Sequence, residues 1–351
     1  MSAASALSAP SEVAPDLHGE GLQDRLRQFL RSSFQAELAV GPLKRYSSGF
    51  SWITFGFSAR WIGRPAQELI VQIGPPTGMF APYSARPQAL ALASLKDSRV
   101  PVAALVAWSD DPAILGAPFF ICEKVAGEVI EPWRLQSIDP GRRARLAEAF
   151  VEILGHLHAP GTPVGALQSD AQPVTPENAV ELEIDHWSQR LREWACKPLP
   201  LLSWSERWLR SNVRAAPRLC IVHGDFRLGN FLADDTRVSA VLDWEMVHVG
   251  HPLEDLGWLF SATFNKGSRR LFGELEREAA LDRYATVSGI RVADADLHYF
   301  ECLALYKSIA ITVAAQYSAQ RRGYNDMRMT SMATQIAVMT RQLDRLIGGQ
   351  T

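Results

Sequence analysis

Residues 223–230 read His-Gly-Asp-Phe-Arg-Leu-Gly-Asn, and thirteen residues past the asparagine stands Asp243, in Val-Leu-Asp-Trp-Glu. An acid and an amide on one short loop, followed by an acid at the end of an apolar run, supply what metal-assisted phosphoryl transfer requires. Asp225 can take the proton of an attacking hydroxyl, while Asn230 and Asp243 offer hard oxygens to Mg²⁺. Asp and Asn are common in loops, and one alone would say little. Three in this order and spacing, with His-Gly in front and Trp behind, make a specific signal.

The elements that must position these groups can be read on either side. Residues 219–222 and 238–242 are apolar runs of strand length, and Asp234-Asp235-Thr236-Arg237 between them has turn chemistry. The pattern predicts two adjacent strands with the acid, the amide and the second acid at their ends. Upstream, Leu22, Leu26, Phe29 and Leu30 form one stripe of a helix over 22–34. Strands are expected over 51–60, 68–73, 103–109 and 118–124, with a helix over 87–96 between the second and third. Val125-Ala126-Gly127 then reads as a hinge. Helices are expected over 142–158, 177–194, 205–214, 256–264, 271–288, 293–316 and 325–347.

The stretch from His223 to Trp258 resembles the aminoglycoside phosphotransferase-like superfamily, and looks closest to the branch holding the kinase domains fused to acyl-CoA dehydrogenases. Ser47-Ser48-Gly49-Phe50-Ser51, Val100-Pro101-Val102 and the run from Gly116 to Glu123 fit the same template. The resemblance implies an α+β, protein-kinase-like two-lobed fold, with a small β-rich N-lobe and a larger, mostly helical C-lobe. The lobes would span 21–124 and 125–351, after a disordered tail over 1–20. By the same resemblance Asp225 is the catalytic base, Asn230 and Asp243 hold Mg²⁺, and His223 supports the loop. Asp255 resembles the buried acid that hydrogen-bonds that loop's backbone. Ser48, Gly49, Ser51, Gln72, Gln88 and Glu123 fall where ATP or GTP would bind. Arg227 stands where protein kinases carry a lysine that touches the γ-phosphate; a transition-state contact and a solvent-facing loop arginine both stay open.

One departure stands out. The resemblance calls for a basic residue on the third strand of the N-lobe, paired with a glutamate on the next helix, and the aligned positions here are Gln72 and Gln88. A hydrogen bond between the two amides could keep the geometry but adds no charge. Lys44, Arg45, Arg86 and Arg227 are candidate replacements. The departure sustains a rival reading, a pseudokinase acting as a nucleotide or acyl-CoA binding module. A metallophosphoesterase is a weaker rival, because the chain lacks the Gly-Asn-His element of such sites.

Bulk composition bounds the partners. At 351 residues, 47% hydrophobic and 21% charged, the chain is an ordinary globular protein with a net charge of −2. Such a balance provides no field to draw it to nucleic acid or a membrane. Cys122, Cys196, Cys220 and Cys302 are far apart and form no CxxC pair, which fits a reducing, cytoplasmic setting. The first residues are Ala/Ser/Pro-rich without the pattern of a secretory signal, and no apolar stretch reaches ~18 residues. His156 and His158 cannot share a helix face; Trp204 and Trp208 are spaced for packing, and His248 and His251 are expected to have no direct chemical role. The expected partner is a small molecule bearing a hydroxyl. Residues 265–351 carry a net charge of +3, which argues against a polycationic acceptor. The resemblance points first to a hydroxyacyl-CoA or related catabolic intermediate, with an aminoglycoside or macrolide antibiotic as the alternative.

Overall fold

A computed structural model describes residues 20–46, 51–168, 172–195, 197–235, 237–265, 268–321 and 326–349. Helix α1 (Glu20–Phe34) is followed by strands β1 (Leu38–Val40), β2 (Lys44–Tyr46), β3 (Ile53–Trp61) and β4 (Gln67–Ile73). Helix α2 (Arg86–Leu95), strand β5 (Leu105–Ser109), the short α3 (Pro112–Leu115) and strand β6 (Phe119–Glu123) complete the β-rich part. The six strands make one antiparallel sheet in the order β1-β3-β4-β6-β5, with β2 also paired to β3.

Alternation along the strands gives this sheet two different faces. Phe55, Phe57, Leu69, Val71, Ile73, Phe119 and Ile121 are buried with Leu22, Leu26 and Leu30, a four-residue spacing that forms the inner stripe of α1. Gln72 lies directly opposite Phe120 in the β4–β6 ladder and shares its face. Phe120 and Cys122 belong instead to the larger core that continues into the helices downstream.

The helical part begins with β7 (Glu128–Val129), α4 (Pro140–Leu157), α5 (Ala179–Trp194) and α6 (Pro200–Ser211). Four short strands follow: β8 (Cys220–Val222), β9 (Phe231–Ala233), β10 (Val238–Val241) and β11 (His248–Gly250). Next come α7 (Leu253–Phe260), α8 (Ala262–Asn265), the hairpin β12 (Arg270–Leu271) and β13 (Leu275–Glu276), and α9 (Arg277–Ser288). Last are α10 (Asp294–Arg321), α11 (Met327–Met332) and α12 (Ile336–Gly348). Helix α10 is the axis of this part, buried along most of its length and packed against α5, α6, α7, α11 and α12. A Cβ on Gly257 of α7 would lie 2.4 Å from the backbone of Phe300, so glycine alone lets α7 and α10 approach this closely.

Three expectations need correction. Strands β8 and β10 are not neighbours: β8 pairs with β11, whereas β10 pairs with β9, and β9 with β7. The turn after Asp234 folds β10 back on Phe231–Ala233, a strand too short to stand out in the sequence. The helix expected over 271–288 starts only at Arg277, because Phe272 and Gly273 both take positive φ, at 54° and 83°, and close the β12–β13 hairpin. The helix expected over 325–347 is two helices joined by a 3₁₀ turn at Ala333–Gln335, and Asn325 lies outside the described residues. The tail expected over 1–20 also lies outside them, except Glu20, where α1 begins. Cys122, Cys220 and Cys302 are buried free thiols, and Cys196 is not among the described residues. No described helix is long and apolar enough to cross a membrane.

Candidate active site

The loop from His223 to Asn230 leaves β8 and is fixed from several sides. Asp255, on the first turn of α7 and fully buried, accepts hydrogen bonds from the backbone amides of His223 and Gly224, both at 2.8 Å. His158, at the end of α4, bonds the same carboxylate through Nε2 at 3.2 Å and Tyr284 through Nδ1 at 2.9 Å. Burial would raise the Asp255 carboxyl, but the hydrogen bond and charge of His158, followed by His223, hold it below its ordinary value. Gly224 has φ +85°, and a Cβ there would meet the Met246 carbonyl at 2.6 Å, so this turn demands glycine.

His223 is buried and acts through its hydrogen bonds. Nδ1 accepts the Asp225 amide at 3.1 Å, and Nε2 donates to the Leu242 carbonyl at 2.8 Å. Burial lowers its pKa, which suits a neutral ring with one donor and one acceptor. Leu242 in turn donates its amide to the Asn230 carbonyl at 2.8 Å. The 223–230 loop and the Asp243 turn are thereby stitched together although strands β8 and β10 are not ladder partners.

The Asp225 side chain is 12% exposed and held by three donors. Oδ1 accepts from Arg227 Nε and from Trp258 Nε1, each at 2.7 Å, and Oδ2 accepts from Asn230 Nδ2 at 2.5 Å. Asn230 Nδ2 also reaches the Asp225 carbonyl at 2.9 Å. With its amide nitrogen spent in this way, Asn230 has its Oδ1 left to serve another partner. Arg227 is not a free surface arginine: it pairs with Asp225, donates to the Leu228 carbonyl at 3.0 Å and lies 5.5 Å from the Phe264 ring.

Asp243 adopts a left-handed backbone at φ 62°, ψ 58°, a strained conformation for a non-glycine residue. Asp243 is exposed as a residue, yet desolvation by the surrounding protein and then the charge of Asp225 push its carboxyl up to about 6, against the lowering influence of Arg227. Glu245 lies two residues on; burial and the charge of Asp243 push its carboxyl well above the ordinary range, and its Oε2 is buried without a partner among the described residues. An amide oxygen at Asn230 and the under-compensated acids Asp243 and Glu245 fit a divalent cation. Asn230 Oδ1 and Asp243 are the residues that would hold it.

A model of the phosphotransferase enzyme family matches residues 53–294 of this chain. The chain belongs to that family. It is 26% identical to rat acyl-CoA dehydrogenase family member 11 over 331 residues, covering 90% of this chain but 41% of that protein. The chain therefore spans less than half the length of that relative. Among solved structures, an aminoglycoside-phosphotransferase-type protein from Ralstonia eutropha superposes with a TM-score of 0.72 at 20% identity, covering 93% of this chain and 98% of that one. A thermostable aminoglycoside phosphotransferase APH(4)-Ia in complex with AMP-PNP and hygromycin B gives a TM-score of 0.56 at 14% identity, covering 93% and 99%. These likenesses establish the protein-kinase-like fold, with its antiparallel N-terminal sheet and helical C-terminal part.

Of the residues expected from the resemblance to bind nucleotide, Ser51 is buried and donates to the Tyr83 hydroxyl at 2.9 Å, while Ser48 and Gly49 lie outside the described residues. Glu123 is exposed at the end of β6. The hydrogen bond that could have joined Gln72 and Gln88 is not made: Gln88 Nε2 is buried without a partner among the described residues, as is Trp52 Nε1. Lys44 stacks over Tyr46 at 5.8 Å, Arg45 and Arg86 are exposed, and Arg227 is committed to Asp225. The double change Gln72→Lys with Gln88→Glu is expected to tighten Mg-ATP binding by up to about 1.5–3 kcal/mol, the worth of a hydrogen bond to a charged group. Calorimetry on both proteins checks it; weaker binding would mean that this sheet face holds another ligand.

The remaining histidines and tryptophans resolve into supports. His156-Leu157-His158 follows Gly155 and so spells a metallophosphoesterase motif, but His158 is spent on Asp255 and Tyr284. Trp208 stacks on Tyr299 at 5.9 Å, as packing predicts. His251 accepts the Leu253 amide and lies against Phe300 at 4.3 Å. His248 belongs to a cluster missed in the sequence. Lys307 of α10 is buried between Glu183 of α5, at 2.5 Å, and Glu254 of α7, at 3.4 Å, with His248 Nε2 3.2 Å from Glu254. Glu183, His248 and Glu254 could together ligate an ion, but the Lys307 ammonium already fills that role. The readable signal was a lysine in the midst of the apolar run from Leu303 to Ala315.

Proposed function

We propose that this protein transfers the γ-phosphate of ATP or GTP to a hydroxyl of a small molecule, with Asp225 as base and Mg²⁺ held by Asn230 and Asp243. The observation that carries the reading is the Asp225 carboxylate, held by three donors, one of them Asn230, and close enough to Asp243 to raise its carboxyl. Mg²⁺, when bound, neutralises charge on the phosphates. Arg227 stays beside Asp225 and supplies a fixed positive charge near the transferring group. His223 and Asp255 hold the loop so that no reorganisation is needed at the moment of transfer.

The acceptor we favour is a hydroxylated acyl compound such as a hydroxyacyl-CoA. On one side of Asp225 lie Arg227, Trp258 and Phe264, the arginine paired with Asp225 itself, and the two rings make an aromatic wall suited to an apolar chain. The likeness to an acyl-CoA dehydrogenase family member supports the same choice. An antibiotic acceptor finds less support, since the antibiotic-modifying structures stand at 14–20% identity. The free thiols support a reducing, cytoplasmic setting. The unpaired amide of Gln88 favours a second reading, a binding module without turnover.

Thermal stability separates the two. A nucleotide that binds only the native state adds about 2.7 kcal/mol at ~100 times its Kd. We expect ATP or GTP to raise the melting temperature in a Mg²⁺-dependent way, with slow nucleotide hydrolysis that disappears in an Asp225 variant. If millimolar ATP and GTP leave the melting temperature unmoved while an acyl-CoA raises it, the binding module is the correct reading.

A further inference from the structure

We propose that Trp258 is a positioning residue for the base, and that it makes Oδ2 the oxygen through which Asp225 works. The proposal rests on the reading of Asp225 as the base. A carboxylate offers about two acceptor sites on each oxygen. Oδ1 has both occupied, by Arg227 Nε and the Trp258 indole N–H at 2.7 Å each, whereas Oδ2 has one, used by Asn230 Nδ2 at 2.5 Å. The remaining site on Oδ2 is the one left for an incoming hydroxyl. In the transfer, the acceptor O–H bond breaks and its proton passes to Oδ2. The acceptor oxygen bonds the γ-phosphorus as the bond from phosphorus to the bridging oxygen breaks, releasing the nucleoside diphosphate.

Helix α7 is built to hold this contact. Asp255 fixes the backbone of His223 and Gly224, and one turn later Trp258 fixes the side chain of Asp225, so one helix orients both parts of the loop. The indole is itself immobile: it is 3% exposed, packs near-parallel to Phe264 with centroids 4.7 Å apart, and lies 5.8 Å from Lys307 Nζ. Lys307 is anchored by Glu254, the residue one turn before Trp258 on α7. A rigid aromatic donor on a buried helix costs little reorganisation when the reaction occurs.

The test uses the full chain with Mg²⁺-ATP, water being the acceptor and released phosphate the readout. Trp258→Phe keeps the ring and removes the N–H; a benzothienylalanine at 258 replaces only the N–H by sulfur and guards against a packing defect in the Phe variant. Both are expected to lower kcat about tenfold, the worth of one hydrogen bond to a charged group, with the KM for Mg²⁺-ATP unchanged. In ¹⁵N-tryptophan-labelled protein the indole signal that Trp258→Phe removes should shift in Asp225→Asn. If hydrolysis depends on Asp225 but both Trp258 variants keep wild-type kcat, or the indole signal ignores Asp225→Asn, the positioning role is wrong and the base assignment stands. Absence of Asp225-dependent hydrolysis in the wild-type protein overturns the base assignment and the positioning role with it.

Discussion

Asp225→Asn should lower phosphoryl transfer, read as Mg²⁺-ATP hydrolysis, by about 10²–10⁴-fold, the range for loss of a general base. The variant keeps the shape of the side chain, so the loop should stay folded on Asp255 and His223. Its new NH₂ group must face a donor on either side, two at the Oδ1 position or one at the Oδ2 position. The second arrangement is the less costly, and it places a donor where the acceptor hydroxyl needs an acceptor. Asp243→Ala should behave differently. It removes a proposed metal oxygen, so Mg²⁺-nucleotide affinity measured by calorimetry should fall along with turnover. Unimpaired hydrolysis in the Asp225 variant would sink the assignment. Equal nucleotide affinity in wild type and Asp243→Ala would remove Asp243 from the metal site.

Much of this arrangement was legible because its parts are close in sequence. His223, Asp225, Asn230 and Asp243 fall within 21 residues, and their order and spacing are informative together although one alone would say little. The strands of the N-terminal sheet could be read because period-two patterning separates the α1-facing side from the other. Pairing could not be read. Strands of three residues such as Phe231–Ala233 and His248–Gly250 are too short to show a period, so the partner of β8 was misassigned. The β12–β13 hairpin was hidden for a related reason, since an apolar spacing that suits a helix was cut by Phe272 and Gly273 at positive φ. Least legible were contacts between distant segments. Nothing near Asp225 in sequence announces that Trp258 donates to it, or that Lys307 meets Glu183 across 124 residues. Such pairs follow from the packing of α7 on the 223–230 loop and of α5 and α7 on α10, the last allowed by Gly257, a property of tertiary packing and not of local pattern.

That same approach makes Lys307 the residue whose loss should most reduce stability. Its side chain is 3% exposed and those of Glu183 and Glu254 are 9% and 1%, so the two acids are compensated by Lys307 and His248 together rather than by water. Burial would raise the Glu183 carboxyl, but the charges of His248 and Lys307 hold it below the usual carboxylate range. Lys307→Met keeps most of the volume, and the contacts with Trp187 and Trp258, while leaving two buried acids with only His248 between them. Breaking a buried pair in this way costs about 3–5 kcal/mol, which urea denaturation would read as a lower midpoint at unchanged slope. Adding Glu183→Gln and Glu254→Gln should recover part of the loss, because no buried charge is then unpaired. The wild-type cluster also predicts a pH dependence. Burial works against a charged His248, yet Glu183 and Glu254 outweigh it and raise its pKa to about 9, from an ordinary value near 6.5. A group raised on folding contributes its full stability below the unfolded value and loses it as pH rises through the folded one. Stability should therefore decline between about pH 6.5 and 9, and His248→Gln should flatten that decline. A loss below about 1 kcal/mol in Lys307→Met would be that of a surface pair, and would mean that the acids are solvated and that α5, α7 and α10 are held together by apolar packing alone.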